Sequence, residues 1–178
     1  TTTFEPYPLK GHADRVQYIA FSSHGLLASA GGTTPESASE DFGETLIWDL
    51  RGETPRIRSK IPNRRWVRCV AFSPDGKELA ATDDFSTGDI KIYDAETGRV
   101  RCSLLGHSSK TMSLAYTADG HRLVTGSDDG TSRFWDRETG EPLGTLQVDE
   151  RVRKLVLLPD GSTMVTASWD GWVRVRKA

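Results

Sequence analysis

The sequence predicts an all-β protein made of repeated, four-stranded antiparallel units. Three observations carry that expectation. Tight-turn signals recur as FSSHG (21–25), FSPDG (72–76), YTADG (116–120) and LPDG (158–161), each set between short apolar or β-branched runs. An aromatic-Asp pair closes a later run at Trp48-Asp49, Tyr93-Asp94 and Trp135-Asp136. Arg176-Lys177 holds the fourth position, so successive units are spaced by 45, 42 and 41 residues. No apolar pattern of helical period is sustained over about ten residues.

The unit is clearest in LGHSSKTMSLAYTADGHRLVTGSDDGTSRFWD (105–136). It opens on Gly106-His107, turns at Ala118-Asp119-Gly120 and at Asp128-Asp129-Gly130, and ends on Trp135-Asp136. Thirteen residues before each turn glycine stand His12, Asn63, His107 and Val148. The second unit reads as strands WVRCVAFS, ELAATDD, DIKIYD and VRCSLL, parted by turn residues that suit chain reversal. Two units carry extra length between their second and third strands. GGTTPESASEDFGE (31–44) is polar and small-residue-rich, which predicts an exposed loop, and DDFSTGD (83–89) is a smaller extension at the equivalent point.

A period near 40–45 residues with a Gly-His start and a Trp-Asp end resembles the WD-repeat β-propeller family. The resemblance covers essentially the whole chain. Its third repeat is close to the family pattern, and the first is close apart from its insertion. The second has Pro62-Asn63 in place of Gly-His, and the fourth keeps only period, Pro159-Asp160-Gly161 and Trp169-Asp170-Gly171. The Pro-Asp-Gly turns resemble those of bacterial WD-repeat proteins. The expected blades span about 11–57, 58–105, 106–147 and 148–178. Residues 1–10 (TTTFEPYPLK) look like an outer strand that resembles the family's ring-closing exchange, because WVRVRKA ends the fourth blade at its third strand. Pro6 and Pro8 fit such an edge. A seven-bladed ring needs roughly 290 residues. Four blades therefore read as a segment of a longer propeller, half of a ring completed by a second copy, or a closed four-bladed ring.

The resemblance also implies a structural tetrad of His, Ser or Thr, Asp and Trp within a blade. His107, Thr125 (or Ser127), Asp129 and Trp135 supply it in the third repeat. The first offers His12, Ser29 and Trp48, with Asp41 displaced by the insertion. The second keeps Asp84 and the fourth Asp170. His, Thr and Asp are also triad ingredients, but their recurrence beside Trp at the repeat period fits strand stapling better than catalysis.

Composition narrows the function classes. With 27% charged residues, 36% hydrophobic ones and a formal net charge of −2, the chain has no global pull toward nucleic acid or an anionic membrane. No apolar run approaches the length of a membrane helix. Thr1-Thr2-Thr3 shows no signal-peptide pattern and no initiator Met, which predicts a processed chain or a piece of a longer one. Cys69 and Cys102 sit in apolar strand runs without metal spacing, which points to structural thiols and a reducing, cytoplasmic setting. No nucleotide loop, metal cluster or cofactor motif is present, so no cofactor is expected.

One column departs from structure-keeping. Three positions after the His column stand Arg15, Trp66, Lys110 and Arg151, and two positions further Gln17, Arg68, Met112 and Arg153. In a propeller these begin the innermost strands and line one mouth of the channel, with Arg64 and Arg65 adding charge. Basic side chains around Trp66 suit a protein or peptide partner of acidic character. The bland alternative pairs them with Asp14, Asp149 and Glu150. The sequence thus predicts a non-catalytic interaction scaffold, or an assembly domain whose main contacts complete the ring.

Overall fold

Turn chemistry sets each hairpin. In the computed structural model, which describes residues 7–32, 43–63, 66–83, 87–148 and 150–177, the four turn glycines have φ of 74° (Gly25), 67° (Gly76), 73° (Gly120) and 70° (Gly161). That left-handed conformation costs glycine nothing sterically. Neighbouring hydroxyls complete the turns. Ser73 Oγ donates to Asp75 Oδ1 at 2.6 Å and accepts from the Glu78 N–H at 3.0 Å.

The hairpins assemble into four sheets. The first is β1 (Val16–Phe21), β2 (Leu26–Gly32), β3 (Gly43–Asp49) and β4 (Arg56–Asn63), paired in that order. The second is β5 (Val70–Phe72), β6 (Glu78–Thr82), β7 (Ile90–Asp94) and β8 (Val100–Leu104). β9 (Thr111–Tyr116), β10 (Arg122–Ser127), β11 (Thr131–Asp136) and β12 (Pro142–Gln147) form the third. The fourth has three strands, β13 (Val152–Leu157), β14 (Thr163–Ser168) and β15 (Val173–Lys177). All pairings are antiparallel. Innermost strands contact in the order β1, β5, β9, β13, and the sheets do not close into a ring.

Apolar residues on both faces of each sheet drive this stacking. Between the first and second blades, Ala28, Ile47 and Ile61 meet Val67, Leu79 and Ala81. Between the second and third, Ile90, Ile92 and Leu104 meet Leu123 and Trp135. Val124 packs with Leu155 and Met164 at the next junction. Each fully buried aliphatic side chain contributes about 1.5–3 kcal/mol. An ion cluster adds a polar element at the second junction. Glu78, 2% exposed, accepts from Arg101 of its own blade and from Arg137 Nε of the next at 2.6 Å.

The register ends differ from expectation in three places. The first insertion, read as a loop over 31–44, is strand at both ends: Gly31 pairs with Glu44 and Gly32 with Gly43, while 33–42 lie outside the described residues. Glycine is there for packing, since a Cβ on Gly31 would fall 1.9 Å from the Arg15 carbonyl oxygen. WVRCVAFS shrinks to Val70–Phe72, because the Thr82 hydroxyl accepts the Arg68 N–H at 2.8 Å in place of a ladder partner. The first sheet also runs through Asn63, past residue 57. Of the expected outer strand at 1–10, residues 1–6 lie outside the described residues and 7–10 form no strand. Leu9 packs on Leu27, Leu46 and Trp48.

The Gly31 contact is testable. Gly31→Ala should lower unfolding stability by more than about 2 kcal/mol, since both atoms of the clash are fixed by the β1–β2 pairing. Urea denaturation followed by tryptophan fluorescence measures it.

Candidate functional site

The polar set of the third blade is complete. Trp135 Nε1 donates to Thr125 Oγ1 at 2.9 Å, His107 Nε2 lies 2.7 Å from the same hydroxyl, and His107 Nδ1 lies 2.7 Å from Asp129 Oδ2. A neutral ring with its proton on Nδ1 satisfies every atom: indole to hydroxyl, hydroxyl to Nε2, Nδ1 to carboxylate. Thr125, not Ser127, holds the position. Ser127 instead donates to the Ser109 carbonyl at 3.1 Å. Burial alone would raise the Asp129 carboxyl, but the His107 ring, the Thr131 hydroxyl and the Ser108 N–H outweigh it and hold it far below the ordinary range. Thr125 and Trp135 are wholly buried, and the hydroxyl already gives one bond and takes another. The chemistry available to this set is stapling of strands.

The other blades reach the same end with different residues. In the first, His12 Nε2 bonds Ser29 Oγ at 2.6 Å and Trp48 Nε1 donates to that hydroxyl at 2.7 Å. The acid is Glu44, 3.1 Å from His12 Nδ1, with Lys60 Nζ 2.8 Å from its other oxygen. Asp41 lies outside the described residues. Glu44 sits at the column of Thr131, two positions beyond that of Asp129, and its extra methylene makes up the distance. In the second blade Asn63 accepts from the Thr45 hydroxyl at 2.9 Å and donates to the Tyr93 hydroxyl at 3.2 Å. Burial, then the Asp83 carboxylate, push that phenol up. Asp84 is outside the described residues. In the fourth, Arg176 takes the Trp column and donates to Thr166 Oγ1 at 3.1 Å, while Asp170 accepts from Arg174 and the Trp172 N–H.

Thr125→Val should therefore cost about 2–4 kcal/mol, because it strands both the Trp135 N–H and the His107 ring nitrogen inside the blade; thermal or urea unfolding reads this directly. The depressed Asp129 carboxyl adds a pH signature. Its stabilisation is fully present above the unfolded value of about 3.9 and is lost as pH falls toward the folded value. Acid unfolding between about pH 5 and pH 2 should be steeper in the native sequence than in Asp129→Asn.

The mouth column occupies equivalent places at the entry of each innermost strand. Backbone carbonyls of Arg15, Lys110 and Arg151 accept the N–H groups of Gly32, Asp128 and Trp169 at 3.2, 2.9 and 3.1 Å, so the column also anchors the end of each second strand. The Arg15 and Arg151 side chains are exposed, and Lys110 is half-buried. Trp66, half-buried, has the Arg68 guanidinium 5.1 Å from its ring centroid. Arg64 and Arg65 lie outside the described residues. The structure brings in residues that the column at 15, 66, 110 and 151 omits: Arg153 stands 4.8 Å from the Trp169 ring, and Trp169 and Trp172 are 60% and 66% exposed. The signal for Arg153 was the second column, two positions on; Trp169 and Trp172 stand in neither column. Among the described residues no group of three or more His, Cys, Asp or Glu gathers as a metal site. A cleft of about 600 Å³ opens between the third and fourth blades, floored by Val124, Phe134, Leu146 and Met164. Gly98 and Gly140 cover the equivalent outer strands at the earlier junctions, packing on Ile61 and Leu104.

Comparison with known proteins agrees with this geometry. The family "WD domain, G-beta repeat" matches residues 57–94, 98–136 and 140–176. The chain is 30% identical over 170 residues to "WD repeat-containing protein SL1-17" of Schistosoma mansoni, covering 95% of this chain and 52% of that one. It is 33% identical over 114 residues to "Periodic tryptophan protein 2 homolog" of Neurospora crassa, covering 62% of this chain and 12% of that one. It thus spans about half the length of the first relative and far less of the second. The crystal structure of the WD40 β-propeller domain of Doa1 superposes with a TM-score of 0.74 at 20% identity, over 94% of this chain and 52% of that one. Three matched repeats, four stacked antiparallel sheets and the His–Thr–Asp–Trp set place the chain in the WD-repeat β-propeller family.

Proposed function

We propose that this protein is a non-catalytic docking platform that binds a protein or peptide, acidic in character, on the mouth bearing the loops between second and third strands. Propeller domains of this family generally mediate protein–protein contact. The observation that carries the reading is the column of Arg15, Trp66, Lys110 and Arg151, one from each blade, at the mouth end of the innermost strands. Exposed cations and a half-buried tryptophan are the residue types that dominate interface energetics. Nucleic acid is disfavoured by the net charge of −2. The reducing cytoplasm suits the two free thiols, of which Cys69 is pushed up to about 12 by burial and is chemically quiet.

A second reading has its own observation. Ile19 on the first blade is 59% exposed, although its counterparts Leu114 and Leu155 are buried at blade junctions, and Phe21 is 65% exposed where Phe72, Tyr116 and Leu157 are half-buried. Val156, Val173 and Val175 on the fourth blade are 49%, 64% and 62% exposed. The two open faces match the two halves of an ordinary junction, which suits an assembly role in which further blades, from the parent chain or a second copy, complete the ring.

Two measurements test these readings. Trp66→Ala with Lys110→Glu should cut partner capture at least about tenfold while Lys77→Glu, on the opposite turns, leaves it unchanged; equal capture by both variants would sink the mouth assignment. Light scattering should show a mass of about twice 19.6 kDa if a second copy closes the ring. A monomer with a cooperative melt excludes that form of closure.

A further inference from the structure

Resting on the mouth reading above, two arginines and a methionine from three blades meet at one point. Arg68 Nη1 of the second blade and Arg153 Nη1 of the fourth lie 3.9 and 4.0 Å from the sulfur of Met112 on the third. Tyr18, on the first blade, feels the charge of both guanidiniums, and the two repel each other across the gap. Met112 is 5% exposed and floors the space between them. Each guanidinium stands over an indole, Arg68 at 5.1 Å from Trp66 and Arg153 at 4.8 Å from Trp169. The attraction of each guanidinium to an indole holds it beside the methionine, and its N–H groups are the donors that a carboxylate takes.

From this geometry we propose that Arg68 and Arg153 form a clamp for a single carboxylate side chain of a bound peptide, with Trp169 receiving an aromatic or aliphatic neighbour of that acid. A carboxylate placed between the two guanidiniums attracts both and offsets the repulsion of one by the other. Asp128 sets the ligand's charge. Its carboxylate is 3.9 Å from Arg153 Nη1, beyond hydrogen-bond range, and its charge also reaches Arg68, so it repels a dianion more strongly than a monoanion. A carboxylate therefore suits this place better than a phosphate dianion. The exposed Trp169, held in place by the Arg151 carbonyl, supplies apolar area beside the charge.

The protein contains two methionines, which makes the test specific. Met112 is in the clamp and Met164 is buried between the third and fourth blades. Random dodecapeptides displayed on phage are selected against the protein, and the enriched peptides are titrated into protein labelled with ¹³C at the methionine methyls. Enriched sequences should pair Asp or Glu with an aromatic or aliphatic residue, move the Met112 signal and leave Met164 in place. Arg68→Gln, Arg153→Gln and acid-to-amide replacement in the peptide should each weaken binding about tenfold or more. An unmoved Met164 signal in each variant shows that the blades remain packed. Peptides that depend on Trp66 and Lys110 but tolerate both glutamine variants overturn the clamp and spare the mouth reading. Absence of any mouth-binding peptide overturns both. A phosphoserine peptide binding more than about tenfold tighter than its glutamate form overturns the carboxylate assignment.

Discussion

A sheet that is apolar on both faces cannot stand in water alone, and that constraint organises this protein. Ala28 and Ile47 need a neighbour on one side as much as Leu27 and Trp48 need cover on the other. Stacking sheets face to face solves the problem for interior blades and passes it to the outermost ones.

In the first, third and fourth blades a hydroxyl is the pivot. Ser29, Thr125 and Thr166 occupy one column of the second strand, and each accepts from the third strand: an indole twice, a guanidinium once. What varies is the donor and the acid behind it. Geometry survives in the fourth blade although neither His nor Trp does, because Arg176 reaches the same oxygen. The second blade has Ala81 at that column and moves the task to Asn63 and Tyr93.

The strand order, the turns and the tetrad of the third blade were legible because each depends on residue type at fixed spacing. Asp-Gly forces a reversal, and a buried Trp N–H demands an acceptor. Glu44 escaped notice because side-chain length substituted for sequence position, something a column-by-column reading cannot register. Arg176 escaped because its bond is made by a residue of different chemistry. The meeting of Arg68, Met112 and Arg153 depends on how three blades are inclined to one another, which spacing alone does not encode. The column containing them was visible, but the convergence was not.

Repeats built to one plan carry a hazard of their own, since any blade can in principle stack on any other. Val and Ile make poor addresses: one apolar face resembles the next. Glu78 is different. Buried at the second junction and bonded to Arg101 behind it and Arg137 ahead, it would be left without Arg137 if the third blade were replaced by the second, which has Ala95 at that position, or by the first, which has Leu50. Leaving a buried carboxylate short of a partner is far costlier than exchanging one aliphatic contact for another. Glu78 therefore works as a label of succession, giving the folding chain a means to tell the correct neighbour from its near-copies.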